Sequence, residues 1–256
     1  MSNISEMDND RKIELAKNAV RYKLLRVYEE RGINASLDMS DKFLNEAAKS
    51  GKELGIDDFG KIIRGELSEL YAEIYLRDYV KKHKNSFYVK SLCFPRVDGK
   101  DGYTELDLTL FTSKFVFVLE CKSYSGEKTL TNEGCMNVKG RTSYNVFSQN
   151  RMHLTNLDPY IKMCRLKSVR EGGKPYILAM FSYSKDDIKD LREKEWKKKF
   201  RLLTESNIGE YLENISKTDI IWDVQKLYDV VSKLQSVSEE NKKKHIELSK
   251  RGVYNG

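Results

Sequence analysis

Two short runs of this chain combine residue types that can do chemistry together: Glu105-Leu106-Asp107 and Glu120-Cys121-Lys122. Side chains two apart on a strand share a face, so Glu105 projects with Asp107, and Glu120 with Lys122. Residues 105–111 alternate strictly, with Leu106, Leu108 and Leu110 on one side and Glu105, Asp107 and Thr109 on the other. Thr112-Ser113-Lys114 reads as a short turn and 115–122 (FVFVLECK) as the next strand. A hairpin of this kind can bring Asp107, Glu120 and Lys122 to one patch. The charges close an apolar run, where a buried strand requires a partner or a metal for each charge. Two carboxylates with a lysine beside them would suit a hard cation, with the ammonium orienting a water or helping to deprotonate it. An ordinary Glu–Lys pair at a strand end reads equally well from these residues alone.

The elements that must position these residues follow from periodicity. Residues 11–31 space their apolar residues as a helix, which Gly32 would terminate. A second helix is expected over 41–53 with Ser40 as its N-cap, and a third over 58–82. A strand is expected at 86–93, then the hairpin, then an irregular stretch containing Gly126, Gly134 and Gly140. A helix over 145–165 follows, with a buried strand at 174–183, a charged helix at 185–198 and a short strand at 200–203. Thr204 would cap a helix over 208–215, and 219–250 read as one long or broken helix. The order predicts a mixed α/β sandwich with helical flanks.

Composition narrows the partners. The chain has 256 residues, 33% charged and 11% aromatic, the balance of a soluble, highly charged globular protein. Its longest apolar runs fall far short of the roughly 20 residues that span a bilayer, so no membrane association is expected. The polar first ten residues lack a signal-peptide pattern, which favours a cytoplasmic location. Cys93, Cys121, Cys135 and Cys164 form no CxxC pair, and the three histidines, His83, His153 and His245, stand at no metal-ligand spacing. Zinc is therefore disfavoured. The formal net charge of +7 is concentrated: residues 138–174 hold eight basic residues (Lys139, Arg141, Arg151, Lys162, Arg165, Lys167, Arg170, Lys174) against Asp158 and Glu171. Such a segment suits a polyanion-binding face, and equally a solvated basic surface.

Taken in order, these pieces resemble the nuclease-related domain (NERD) family of the PD-(D/E)XK nuclease superfamily. The resemblance runs over roughly 59–216: a helix bearing Gly65-Glu66, Glu105-Leu-Asp107, the hairpin, then Glu120-Cys-Lys122-Ser-Tyr124-Ser-Gly126. After an insert comes Asn145-Val-Phe-Ser-Gln149, where the family typically shows Asn-Pro-x-x-Gln. Val146 replaces the proline and touches no chemical group.

The resemblance implies a PD-(D/E)XK-like α/β core, a mixed central sheet flanked by helices, with helical extensions at 1–58 and 217–256 around a core at 59–216. It assigns Asp107, Glu120 and the Cys121 carbonyl to a Mg²⁺ or Mn²⁺ ion, with Glu66 as a further acidic ligand from the first core helix. Lys122 becomes the catalytic lysine, and Gln149 orients it or a phosphate. Glu105 either supports the site or is structural. His153, where relatives often carry tyrosine, reads as a nucleic-acid contact or a packing residue. Arg151, Lys162 and Arg165 would line the phosphate approach. The expected activity is metal-dependent hydrolysis of phosphodiester bonds in nucleic acid, with DNA the expected form. The alternative is a non-catalytic nucleic-acid-binding or assembly module with a vestigial nuclease site. The terminal helices offer surfaces for packing on the core or for a homodimer.

Overall fold

A computed structural model describes residues 8–54, 56, 59–123, 126–139, 144–166, 175–183, 188–215 and 220–250. The chain divides into two compact units, Met1–Tyr71 with Ser123–Ser125, and Ala72–Lys122 with Gly126–Gly256. No helix among the described residues is long and apolar enough to cross a membrane.

The first unit is helical. α1 (Asn9–Arg31) starts at Asp8, whose side chain accepts the Arg11 N–H at 2.8 Å. It stops at Gly32, whose φ of +82° is open to glycine and whose N–H returns to the Tyr28 carbonyl. α2 (Ile33–Leu54) begins well before residue 41, so Ser40 is not its cap. The Ser40 hydroxyl lies inside the helix and donates to the Leu37 carbonyl at 2.6 Å, satisfied locally and buried. Ser36 does similar work, donating to the Leu24 carbonyl, while the Tyr71 hydroxyl donates to the Ser36 carbonyl at 2.7 Å. Tyr71 belongs to α3 (Phe59–Lys82), in which the division between the units falls.

The second unit is built on a five-stranded sheet. Its strands are β1 (Ser86–Pro95), β2 (Tyr103–Thr112), β3 (Val116–Cys121), β7 (Tyr176–Phe181) and β9 (Arg201–Leu203), in the order β1-β2-β3-β7-β9. β1, β2 and β3 are antiparallel neighbours; β3, β7 and β9 run parallel. The expected hairpin is present. The Thr112 hydroxyl closes its turn, accepting the Lys114 and Phe115 N–H groups and donating to the Phe115 carbonyl.

The alternation of the strands decides what covers each face. The face bearing Phe87, Phe111 and Glu120 lies under α4 (Val146–Ile161) and α7 (Val224–Ser236), with Phe87 stacked on Phe111 and edge-on to Tyr228. The opposite face, bearing Tyr88 and Phe117, meets the second half of α3 and α6 (Ile208–Ile215) through Tyr88–Glu73 and Phe117–Tyr211. β1 is an edge strand, a liability unless its free backbone groups are covered. α8 (Ser238–Lys250) covers them. The Ser238 hydroxyl accepts the Cys93 N–H at 2.7 Å and donates to the Ser91 carbonyl, and Asn241 donates to the Cys93 carbonyl.

Several expectations need correction. The stretch after Gly126 is not irregular. It holds β4 (Lys128–Leu130), β5 (Cys135–Val138) and β6 (Tyr144–Asn145), which with β8 (Ile188–Asp190) form a second sheet ordered β6-β5-β4-β8. Strands of two to four residues carry too little alternation to be seen in sequence. The charged helix expected at 185–198 is instead β8, paired parallel to β4, followed by the short α5 (Lys194–Lys199). The helix expected to run to 165 stops at Ile161 and continues as a 3-10 turn over Lys162–Cys164, after Pro159 has removed a backbone donor in its last turn. α6 is preceded by a turn in which the Thr204 carbonyl accepts the Ile208 N–H, Asn207 accepts the Thr204 N–H, and the Thr204 hydroxyl meets that of Ser206 at 2.8 Å. Of the two forms expected for 219–250, one long or one broken helix, the structure has the broken one, with α7, capped by Asp223, and α8 meeting at Val237.

Candidate active site

Glu120 is the centre of the site. It lies near the end of β3, only 2% exposed, with α4 packed above it. The β2–β3 register pairs Leu108 with Leu119, and its continuation sets Asp107 opposite Glu120. At that point the ladder opens. Asp107 uses a side-chain oxygen to accept the Cys121 N–H at 2.8 Å, a bond that fixes its carboxylate beside the strand end. Opposite Asp107 on its other flank, in the register of β1 and β2, stands Ser91 with a φ of +51°.

Three side chains converge on the Glu120 carboxylate. Lys122 Nζ is 2.7 Å from Oε1 and Gln149 Nε2 donates to the same oxygen at 2.8 Å. His153 Nδ1 stands 3.3 Å from Oε2, an ion-pair distance at an angle outside hydrogen-bond geometry. Burial alone would raise the Glu120 carboxyl; His153 and Lys122 together outweigh it and hold the group below the ordinary carboxylate range. Lys122 keeps 21% of its side chain exposed, so its ammonium joins the buried carboxylate to solvent.

Helix α4 sets this geometry, and its sequence explains why it sits where it does. Asn145 caps it by accepting the Ser148 N–H at 2.7 Å. Val146, in the place of the family's proline, donates its N–H to the Gly134 carbonyl at 3.1 Å, a bond proline could not make. Gly134 itself must be glycine: its φ is +77°, and a Cβ there would come within 2.2 Å of the Phe147 Cβ. Gln149 and His153, four residues apart, share the helix face that looks at Glu120. Asn150 donates to the Val118 and Ala179 carbonyls at 3.3 and 2.8 Å, pinning the helix across the parallel pair β3–β7. Asn156 accepts the Val97 and Asp98 N–H groups, fixing the loop after β1.

The structure thus brings together Asp107, Glu120, Cys121, Lys122 and Gln149, and adds His153, which the sequence placed on the helix without tying it to Glu120. Its position four residues after Gln149 was the signal available. Glu66 lies in the first unit, where its carboxylate takes Arg21 at 2.6 Å and Lys17 at 3.1 Å. Glu105 pairs with Lys242 of α8 at 2.8 Å, the structural one of its two readings. Arg151 and Lys162 are exposed. Arg165 is engaged: it donates to Asp158 at 2.6 Å and to the Tyr176 hydroxyl, and lies over the Tyr176 and Trp222 rings. Tyr124, Arg141, Lys167, Arg170, Glu171 and Lys174 fall outside the described residues.

The donor set fits a hard divalent cation better than a soft one. The second unit offers two carboxylates and a strand-end carbonyl, all oxygen. Among the described residues, no group of three or more His, Cys, Asp and Glu side chains is arranged to hold a metal ion.

The family model of the nuclease-related domain matches residues 64–179, a span that contains Asp107, Glu120, Lys122, Gln149 and His153. No curated protein matches the chain. Among solved structures, the chain is similar to protein VC1899 from Vibrio cholerae at 8% identity and a TM-score of 0.33, covering 82% of this chain and 52% of that one. It is also similar to a protein of unknown function, AF1548, at 10% identity and a TM-score of 0.31, covering 66% of this chain and 98% of that one. The chain spans about half the length of the Vibrio cholerae protein.

Proposed function

We propose that this chain, whose residues 64–179 match the family model of the nuclease-related domain, hydrolyses phosphodiester bonds in nucleic acid, with DNA as the substrate, in a reaction that depends on Mg²⁺ or Mn²⁺. The observation that carries this reading is the convergence of Asp107, Glu120 and Lys122 at one strand end, with Gln149 closing over them from α4. Asp107, Glu120 and the Cys121 carbonyl would hold the ion, which when bound supplies a water of lowered pKa and neutralises charge on the phosphate.

The chain's own residues do the rest. Asp107 is locked by the Cys121 N–H, which holds its carboxylate beside the strand end without further ordering. Glu120 is held ionised by Lys122 and His153, the state a cation requires. Lys122 reaches from the buried carboxylate toward solvent and so can orient an attacking water with its Nζ donors. Gln149 fixes the carboxylate rotamer from the α4 side.

One observation favours the second reading, a nucleic-acid-binding module without catalysis: protein groups already surround both oxygens of Glu120. One experiment separates the two. Linear and closed-circular DNA are incubated with the protein in Mg²⁺, in Mn²⁺ and in EDTA, alongside Glu120→Ala. Cleavage that requires the ion and is lost in Glu120→Ala supports the nuclease. Binding without cleavage in any condition supports the module.

A further inference from the structure

A sharp concentration of positive charge lies outside the basic stretch 138–174. α5 (Lys194–Lys199) reads KEWKKK, four lysines and one glutamate in six residues. Lys194, Lys197, Lys198 and Lys199 are all exposed. Their contacts are weak ones: Lys197 is 3.8 Å from Asp190, Lys198 pairs with Glu195 three residues back, and Lys199 lies over the Trp196 ring. Exposed pairs of this kind contribute about 0–1 kcal/mol and yield readily to a polyanion.

The position of this helix makes the charge useful. Trp196 meets Phe147 edge-on at 5.7 Å, and Phe200, just past α5, meets the same ring at 5.6 Å. Phe147 is in the first turn of α4, two residues before Gln149, which holds Glu120. α5 also leads directly into β9, whose Arg201 registers with Ala179 of β7, which registers with Leu119 of β3, the neighbour of Glu120. α5 thus enters the sheet two strands from β3, about 10 Å at the roughly 4.8 Å spacing of neighbouring strands, and its Trp196 packs on the helix that holds Glu120.

We propose that α5 is the phosphate-binding rim of the site: its lysines grip the backbone of a nucleic acid to one side of the bond at Glu120. The proposal rests on the nuclease reading for the word "site", but the surface is testable without it. Phe147 and Trp196 make the rim rigid with respect to α4, so the phosphates it holds set the register of the strand over Asp107 and Glu120.

The test compares two quadruple variants of the full chain that lose the same charge. One is Lys194→Gln, Lys197→Gln, Lys198→Gln and Lys199→Gln. The control is Lys81→Gln, Lys82→Gln, Lys84→Gln and Lys114→Gln, in the last turn of α3, the loop before β1 and the Thr112–Lys114 turn, which leads into the end of β3 opposite Glu120. Thermal melts establish that both are folded. Anisotropy titrations of a labelled duplex in EDTA, from 50 to 200 mM salt, then give affinity and salt slope, and cleavage in Mg²⁺ is followed separately. The α5 variant is expected to bind tenfold or more weaker than the control, with a log–log salt slope smaller by up to about 3–4 units, since each phosphate contact contributes about 0.9. If no variant or parent cleaves but the α5 variant still binds weaker, the nuclease reading fails and the surface stands. If cleavage is intact while the two variants share one affinity and one slope, or if the parent does not bind duplex at low salt, the assignment of α5 is overturned.

Discussion

Replacing each site carboxylate by its amide should give the same loss of activity and different losses of stability. Asp107→Asn keeps an oxygen that can accept the Cys121 N–H, so the loss of stability from that bond should be less than about 1 kcal/mol. Glu120→Gln is harsher. The wild-type carboxylate receives Lys122 at 2.7 Å and Gln149 at 2.8 Å on one oxygen, with His153 at 3.3 Å from the other. An amide has one acceptor oxygen, and its NH₂ must face a donor on one side or the other. Removing one partner of a buried ion pair costs about 3–5 kcal/mol when the other charge stays buried. Lys122 is 21% exposed and can turn to water, which reduces the cost to about 1–3 kcal/mol. For a chain of this size that is roughly 2–12 °C in Tm. The pH dependence follows from the depressed Glu120 carboxyl. A group whose folded pKa lies below its unfolded value, about 4.3 for Glu, stabilises fully above that value and loses the contribution as pH falls through the folded pKa. The Tm gap between wild type and Glu120→Gln should therefore be full at pH 7 and shrink on acidification below about pH 4. The assay is a pair of thermal melts for each variant at pH 7 and pH 3.5, with DNA cleavage measured at pH 7. A Glu120→Gln protein as stable as wild type at pH 7, or a gap that widens in acid, would refute the ionised, ion-paired Glu120 on which the site rests.

Further outcomes follow from single contacts. Gln149→Ala removes a donor from Glu120 while leaving Lys122 in place; cleavage should fall about 10–100-fold, as for other residues that orient a ligand, with a stability loss near 1 kcal/mol by melt. Gly134→Ala places a Cβ within 2.2 Å of the Phe147 Cβ at a φ of +77°, and should destabilise by about 2 kcal/mol or more in urea unfolding. Val146→Pro restores the family's residue but forfeits the bond to the Gly134 carbonyl, so the usual advantage of proline in a first helical turn should be cancelled and Tm should not rise. Ser238→Ala strips both bonds that the hydroxyl makes to β1, and should cost about 1–3 kcal/mol, with faster hydrogen exchange at Cys93.

The chemistry at the strand ends was legible because it rests on alternation. Glu105, Asp107, Glu120 and Lys122 occupy fixed parities, and one hairpin register makes Asp107 face Glu120. A helix beginning at Asn145 was expected, and Asn145 caps the one observed. What escaped was set by contacts distant in sequence. Glu105 finds Lys242, 137 positions later, and no local pattern announces that pair. His153 joins Glu120 only because Asn150 binds the backbone of two parallel strands and so fixes the rotation of α4. The second sheet is made of strands too short to alternate, and its parallel pair β4–β8 joins segments nearly sixty residues apart. Ser40 misled for a physical reason: serine satisfies its hydroxyl either at a cap or on a carbonyl one turn back, and here it does the latter. Charge counting found the basic stretch 138–174, yet a window that long dilutes the sharper concentration in α5.

α4 explains why these separate features form one site. Its inward side chains hold Glu120 through Gln149 and His153, the β3–β7 pair through Asn150, and the loop after β1 through Asn156. Its first turn is seated by Gly134 and carries Phe147 against Trp196 of α5. Any movement of this helix changes the carboxylate, the strand spacing beneath it and the placement of the lysines together. α8 does the corresponding work on the other flank: Ser238 binds β1 at Ser91, the residue opposite Asp107 whose φ is positive. Asp107 is thus braced from β1 and Glu120 from α4, and neither carboxylate depends on a flexible loop for its position. A site that must hold two like charges close together requires this, because their repulsion would otherwise be relieved by motion of the backbone.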